Sequence, residues 1–147
     1  MFKNILVPTD GSALANRAVK QAVRLAKEQK ARITGLYVAP AYRPAMREEM
    51  TSVRYESPRQ HADNARALAR KHLKALERAA SAAGVRCELL HAVSDYPYDE
   101  IVRAANRKKC DLIYMASHGR TGLSRLLLGS QTSKVLAYSK VPVIVTR

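Results

Sequence analysis

Acidic residues are scarce in this chain: 12 Asp and Glu stand against 26 Lys and Arg, a formal net charge of +14. A field of that sign attracts polyanions at low salt and points to phosphate-rich partners without naming one. Aromatic residues are scarce too, with no tryptophan and one phenylalanine. The cationic helix faces therefore carry no platform for stacking bases; they read as solvated surface, and neither nucleic acid nor a membrane is expected as a partner. The two cysteines, Cys87 and Cys110, form no C-x-x-C and have no histidine cluster at zinc spacing, which leaves reduced buried thiols. No apolar run approaches the ~20 residues that cross a bilayer. The apolar stretch at Met1–Pro8 is too short for a secretory segment and reads as a first strand, so a cytoplasmic location is expected. Internal repeats and low-complexity tracts are missing as well.

What remains is 147 residues, 47% hydrophobic and 26% charged, the size of one domain spanning residues 1–147. Lys3–Pro8 signals a short strand, ended by the turn residues Pro8-Thr-Asp-Gly. Ser12 caps a helix over Ala13–Gln29. In it Ala15, Ala18, Val19, Ala22 and Leu25 recur at helical spacing, and Arg17, Lys20, Arg24 and Lys27 form a cationic stripe. Arg32–Val38 is a buried second strand. Ala39–Ser57 has no clean period and reads as a mobile loop with one helical turn at Ala45–Met50. From Pro58 to about Ala83 runs the longest helix, with Ala62, Ala65, Ala69, Leu76, Ala80 and Ala83 inward and Gly84 as its stop. Its outer edge bears Arg66, Arg70, Lys74 and Arg78.

Val85–Ala92 is a third strand and Asp99–Arg107 a third helix, with Pro97 suited to the first helical turn. Asp111–Ala116 is nearly all apolar, as a parallel strand covered on both faces should be. Ser130–Tyr138 is a fourth helix and Val141–Thr146 a fifth strand, which Pro142 assigns to an edge. Strict alternation implies an α/β fold: one doubly wound domain with a five-stranded parallel sheet and four helices. Its hydrophobic edge, Val141, Val143, Ile144 and Val145, is a hazard unless covered, so a homodimer pairing through the last strand is expected.

The chemistry-bearing segment lies between Ser117 and Thr132, where SHGRTGLSRLLLGSQT carries glycines at Gly119, Gly122 and Gly129. It joins a buried strand to a helix, a place where glycine lets the backbone approach a ligand and helix amides offer donors to phosphate oxygens. Gly129-Ser130 opens that helix, Ser130 offering a hydroxyl and an amide together. The segment is not a Walker A loop, because Gly-Ser-Gln stands where Gly-Lys-Ser/Thr is required, and no G-x-G-x-x-G follows the first strand. In open α/β sheets ligands sit beyond the carboxyl ends of strands where the strand order reverses. An order of 3-2-1-4-5 would bring Thr9-Asp-Gly-Ser and Ser117-His-Gly-Arg to one crevice.

Taken together, Ile-Leu-Val-Pro-Thr-Asp-Gly-Ser near the start, Ser-His-Gly-x9-Gly-Ser late in the chain, and a final Val-Pro-Val strand resemble the universal stress protein family over nearly the whole length. The resemblance implies an adenine nucleotide alpha-hydrolase-like fold with strand order 3-2-1-4-5. Its ATP-binding members carry Gly-x2-Gly-x9-Gly-Ser/Thr after the fourth strand; here Gly119, Gly129 and Ser130 match and Ala116 replaces the first glycine. It further implies site positions at Pro8 and Asp10, with Thr9 between them, on the first loop, Val38 at the end of strand two beside adenine, and Met115 before the glycine loop. Gly119, Gly129, Ser130 and Gln131 would contact phosphate through main-chain amides or hydroxyl, with Asp10 holding ribose or a phosphate bridged by Mg2+. Ala116, His118, Arg120 and Thr132 complete the expected site, where His118 could reach a phosphate and Arg120 could neutralise its charge.

Each residue also has a plainer reading: Asp10 as a helix cap, Val38 and Met115 as core, His118 as a structural histidine, Arg120, Ser124 and Arg125 as loop surface. The expected function is regulatory ATP binding in a stress response; the alternative is a protein-interaction module of the same fold without nucleotide. Hydrolysis needs an oriented water and charge stabilisation at the γ-phosphate. Asp10 and His118 stand alone for that work, so no catalytic residue is assigned.

Overall fold

The structure is a computed structural model that describes residues 1–42, 56–119 and 128–147. The turn expected at Ala45–Met50, and Arg120, Gly122, Ser124 and Arg125, lie outside these residues. Strands β1 (Asn4–Pro8), β2 (Arg32–Ala39), β3 (Cys87–Val93), β4 (Leu112–Ala116) and β5 (Val143–Thr146) form one parallel sheet in the order β3-β2-β1-β4-β5. The crossovers are α1 (Ala13–Gln29), α2 (Pro58–Ala83), α3 (Pro97–Arg107) and α4 (Ser130–Tyr138).

The inner strands are apolar because helices cover both of their faces. Along β1, Ile5 and Val7 enter the core shared with α1 and α2, while Leu6 enters the one shared with α3 and α4. Alanines bring the helices close: Ala15, Ala18, Ala22 and Ala26 on α1, and Ala65, Ala69 and Ala80 on α2, are all buried. The α2 face also includes His72 and Leu73, which the alanine pattern did not single out. His72 stacks on Tyr37 with ring centroids 5.0 Å apart and fills the space beside Gly11, whose φ of +75° and missing Cβ let the first turn close.

Ser12 and Gly84 end helices as expected, and Ser57 adds a cap ahead of Pro58 that the sequence reading did not name. Ser12 Oγ accepts from Ala15 N at 3.2 Å, Ser57 and Gln60 form a capping box, and Gly84 ends α2 with φ of +69°. Four strands begin later than the sequence suggests, β1 by one residue at Asn4 in place of Lys3 and three others for visible reasons. Val85 N is taken by Ala80 O at 2.9 Å, so it belongs to the end of α2. Val141 N is taken by Ser139 Oγ, and Pro142 has no N–H to donate. Asp111 is a clasp residue, its carboxylate accepting from Lys3 N and Asn4 N at 2.8 and 3.0 Å.

That clasp, with Asn4 Nδ2 donating to Lys108 O and Thr34 Oγ1 donating to Asn4 Oδ1, closes the amino end of the sheet with polar bonds. Cys110 is buried as expected, but Cys87 sits half-exposed on outer strand β3; burial and the nearby Glu77 push its thiol up to about 11. Among the described residues no helix is long and apolar enough to cross a membrane.

Candidate functional site

The carboxyl end of the sheet is open. Pro8 ends β1, Val38 lies near the end of β2, and Met115 and Ala116 end β4; the first turn of α4 forms the wall opposite. Between them lies a cavity of about 520 Å³, within the range of small-molecule pockets. Every expected site residue within the described part of the chain lines it, and Arg120 lies outside that part. Ala15, Leu36, Tyr37, Pro40, Pro97 and Ile101 complete the lining without having been expected.

Two distant turns touch at its rim. A Cβ on Gly119 would run into Oδ2 of Asp10, so the turn after β4 lies against the turn after β1 closely enough that any side chain at residue 119 would displace that carboxylate. Asp10 Oδ1 accepts from Ser12 N at 2.9 Å, and Thr9 Oγ1 accepts from Gly11 N at 3.2 Å. Asp10 therefore braces its own turn, while the cap of α1 is Ser12. Gly129 N donates to Ser117 O at 2.8 Å, and a Cβ on Gly129 would stand 3.1 Å from His118 Cα and 3.2 Å from that same carbonyl. A side chain there would press on the exit of β4, so glycine lets that exit and the entry of α4 lie close together.

The start of α4 carries the donors. The first amides of a helix have no intrahelical partner and sit at the positive end of its dipole. Gly129 in the cap position supplies no capping side chain. Gln131 and Thr132 are held by structural bonds: Tyr98 N donates to Gln131 Oε1 at 3.0 Å, and Thr132 Oγ1 donates to Ala116 O at 3.1 Å. Their side chains tie α4 to α3 and β4, leaving their main chain and the exposed Ser130 for a ligand. His118 Nδ1 lies 3.1 Å from Ser117 Oγ, but Ser117 is buried and does not line the cavity, so the pair presents no nucleophile there.

The cavity is two-sided. Leu36, Val38, Pro97, Ile101 and Met115 make an apolar wall; Asp10, His118, Ser130 and glycine main chain make a polar one, in which Asp10 is the single acidic residue among the described residues. Among the described residues no group of three metal-ligating side chains occurs.

At the mouth, Pro40 is held by a small clasp. His61 Nε2 lies 2.9 Å from Pro40 O and Nδ1 lies 3.2 Å from Glu56 Oε2. Both partners only accept, so satisfying both takes two N–H donors, the imidazolium form. The Glu56 carboxylate, followed by the Pro40 carbonyl, raises the His61 pKa; His61 and then Asn64 lower that of Glu56.

A doubly wound α/β sheet with a glycine-closed cavity at its strand-order reversal is a ligand-binding architecture. The Universal stress protein family model matches residues 1–147, and the chain belongs to that family. It is 37% identical to universal stress protein YxiE of Bacillus subtilis over the whole of both chains. It is 35% identical to universal stress protein MJ0531 of Methanocaldococcus jannaschii, covering all of this chain and 83% of that one. A solved universal stress protein in complex with cAMP shares the fold with a TM-score of 0.67 at 25% identity, over 99% of this chain and 97% of that one.

Proposed function

We propose that this protein is a cytoplasmic regulatory binder of an adenine nucleotide, ATP, held in the cavity between the ends of β1 and β4 as part of a stress response. The observation that carries this reading is the contact of Gly119 with Asp10 beside the uncapped start of α4. Adenine lies against Val38 and Met115, and Asp10 meets ribose or a metal-bridged phosphate. The main chain of Gly119 and of Gly129 to Thr132, with the Ser130 hydroxyl, meets the phosphates. The residues fit such a group: Gly119 and Gly129 let Asp10 and the exit of β4 pack closely around the cavity, and polar groups gather at one end of it.

Mg2+ bound through one carboxylate and the nucleotide's own phosphates needs no all-protein cage, and Asp10 is the one carboxylate that the described residues bring to the cavity. Ala116 packs with the core beneath α1, so its methyl contributes to that layer while the residue lines the cavity. The cAMP complex of a relative supports the adenine class. No turnover is assigned. We further propose a homodimer through β5, whose Val143, Ile144 and Val145 are half-exposed on an edge.

Ala116 in place of glycine favours the second reading, an interaction module without nucleotide. Thermal shift separates the two. A ligand at a hundredfold its Kd adds about 2.7 kcal/mol, which for this chain length is a rise in Tm of about 5–10 °C. Mg-ATP is expected to produce that rise and Gly119→Val to abolish it while leaving the fold intact. No shift at millimolar ATP would leave the module reading.

A further inference from the structure

The positive charge is unevenly distributed over the molecule. Helices α1 and α2 carry ten Lys and Arg against three Asp and Glu; α3 and α4 carry three against two. All ten cations of the first pair are exposed. The chain winds outward from β1 in both directions, so right-handed crossovers place α1 and α2 on one face of the sheet and α3 and α4 on the other. The two core clusters divide the same way. Two cationic stripes that read separately as solvated helix faces thus lie side by side.

On α2, Arg66, Arg70, Lys74 and Arg78 recur every fourth residue. At 1.5 Å rise per residue they make a row about 18 Å long with a charge every ~6 Å. The α1 stripe runs beside it at the ~8–10 Å spacing of packed helices. Two ion pairs inside this layer, Arg24 with Glu28 at 3.1 Å and Arg66 with Asp63 at 3.6 Å, are exposed and oppose an external anion only weakly.

We infer that the α1–α2 face is a docking surface for the phosphate backbone of duplex nucleic acid. A duplex carries about one charge per 1.7 Å of axis with both strands counted, so a row this long spans about ten phosphates and faces about half of them. Six of the ten cations are arginine, whose planar fork matches phosphate oxygens in pairs. Neither helix contains Phe, Tyr or Trp, so a single strand finds nothing to stack on. Leu68 is the only large apolar side chain on these two helices that is exposed, so the face offers a bilayer almost no anchor. What the face offers is charge in rows, the chemistry of sequence-independent backbone binding.

Fluorescence anisotropy of a labelled 20-base-pair DNA duplex with the full chain, from 50 to 200 mM NaCl, tests this. Neutralising about five phosphates gives a slope near −4.5 in log K against log salt, a loss of roughly 500-fold across that range. The triple reversal Arg66→Glu, Arg70→Glu and Lys74→Glu is expected to weaken binding at least tenfold at 50 mM salt. An equal charge change on the opposite face, Arg103→Glu, Arg107→Glu and Lys134→Glu, is expected to weaken it less than threefold. Melting curves check that both fold, and Gln replaces Glu in either set that does not. The inference is overturned by equal effects of the two sets, by affinity insensitive to salt, by no binding at 50 mM salt, or by uptake on phosphatidylserine vesicles without binding to the duplex.

Discussion

A single methyl group at Gly119 tests whether the turn after β1 rests on the turn after β4. The backbone at Gly119 lies outside the left-handed region, so alanine meets no conformational penalty there; its cost is the overlap of Cβ with Asp10 Oδ2. That carboxylate cannot swing away freely, because its other oxygen holds Ser12 N at 2.9 Å. Relief means giving up a hydrogen bond to a charged acceptor, about 1.5–3 kcal/mol, or moving the loops, about 1–3 kcal/mol for overpacking. Against this, replacing glycine stabilises by about 0.4–1 kcal/mol through the unfolded chain.

Gly119→Ala is therefore expected to destabilise by about 1–2 kcal/mol, read from urea denaturation. In an Asp10→Ala background the overlap is gone, and the same methyl is expected to be neutral or stabilising by up to about 1 kcal/mol. The coupling of about 2 kcal/mol exceeds the ~0.5 kcal/mol scatter of independent sites. Equal cost in both backgrounds would refute the contact.

The clasp at the cavity mouth gives a pH dependence of definite sign. The folded-state pKa of His61 is raised above 6.5, so its contribution is fully present below that value and is lost as pH rises through the raised one. Glu56 is lowered from 4.5, so its contribution is present above 4.5 and is lost as pH falls through the lowered value. The difference in Tm between the wild-type protein and His61→Gln is expected to be largest between pH 4.5 and 6.5 and to shrink above it; a difference constant to pH 8.5 would contradict the imidazolium assignment. For the proposed dimer, sedimentation is expected to give twice the chain mass, and Val143→Lys on the β5 edge to give monomers without loss of helical circular dichroism. A monomeric wild-type protein at micromolar concentration would count against pairing through β5.

Much of this architecture was legible because its signals are local. Ser12, Pro58 and Gly84 bound helices by chemistry confined to one turn, and α1, α2 and α4 run where spacing put them. The apolar runs placed all five strands, but of their first residues only Arg32 of β2. Val85, Asp111 and Val141 are hydrophobic or strand-adjacent, yet their bonds go to a helix end, a clasp and a serine hydroxyl. His72 was hidden because a polar residue at a core position carries no hydrophobic signal until Tyr37 and Gly11 are seen beside it. In the cavity, Asp10 and the glycines were visible through their motifs. Leu36, Pro40, Pro97 and Ile101 were not, since apolar wall residues look like core until the fold shows which strand ends stay open. The double duty of Gln131 and Thr132 was likewise invisible without Tyr98 and the Ala116 carbonyl in place.

The central claim is that Asp10, the glycines and the start of α4 form one nucleotide cradle. A crystal grown with Mg-ATP tests it most directly. Density for adenine is expected between Val38 and Met115, with phosphates against the amides of Gly129 to Thr132. Nucleotide held anywhere else, or a cavity that stays without nucleotide density at millimolar ATP while the Asp10–Gly119 contact is intact, would contradict it.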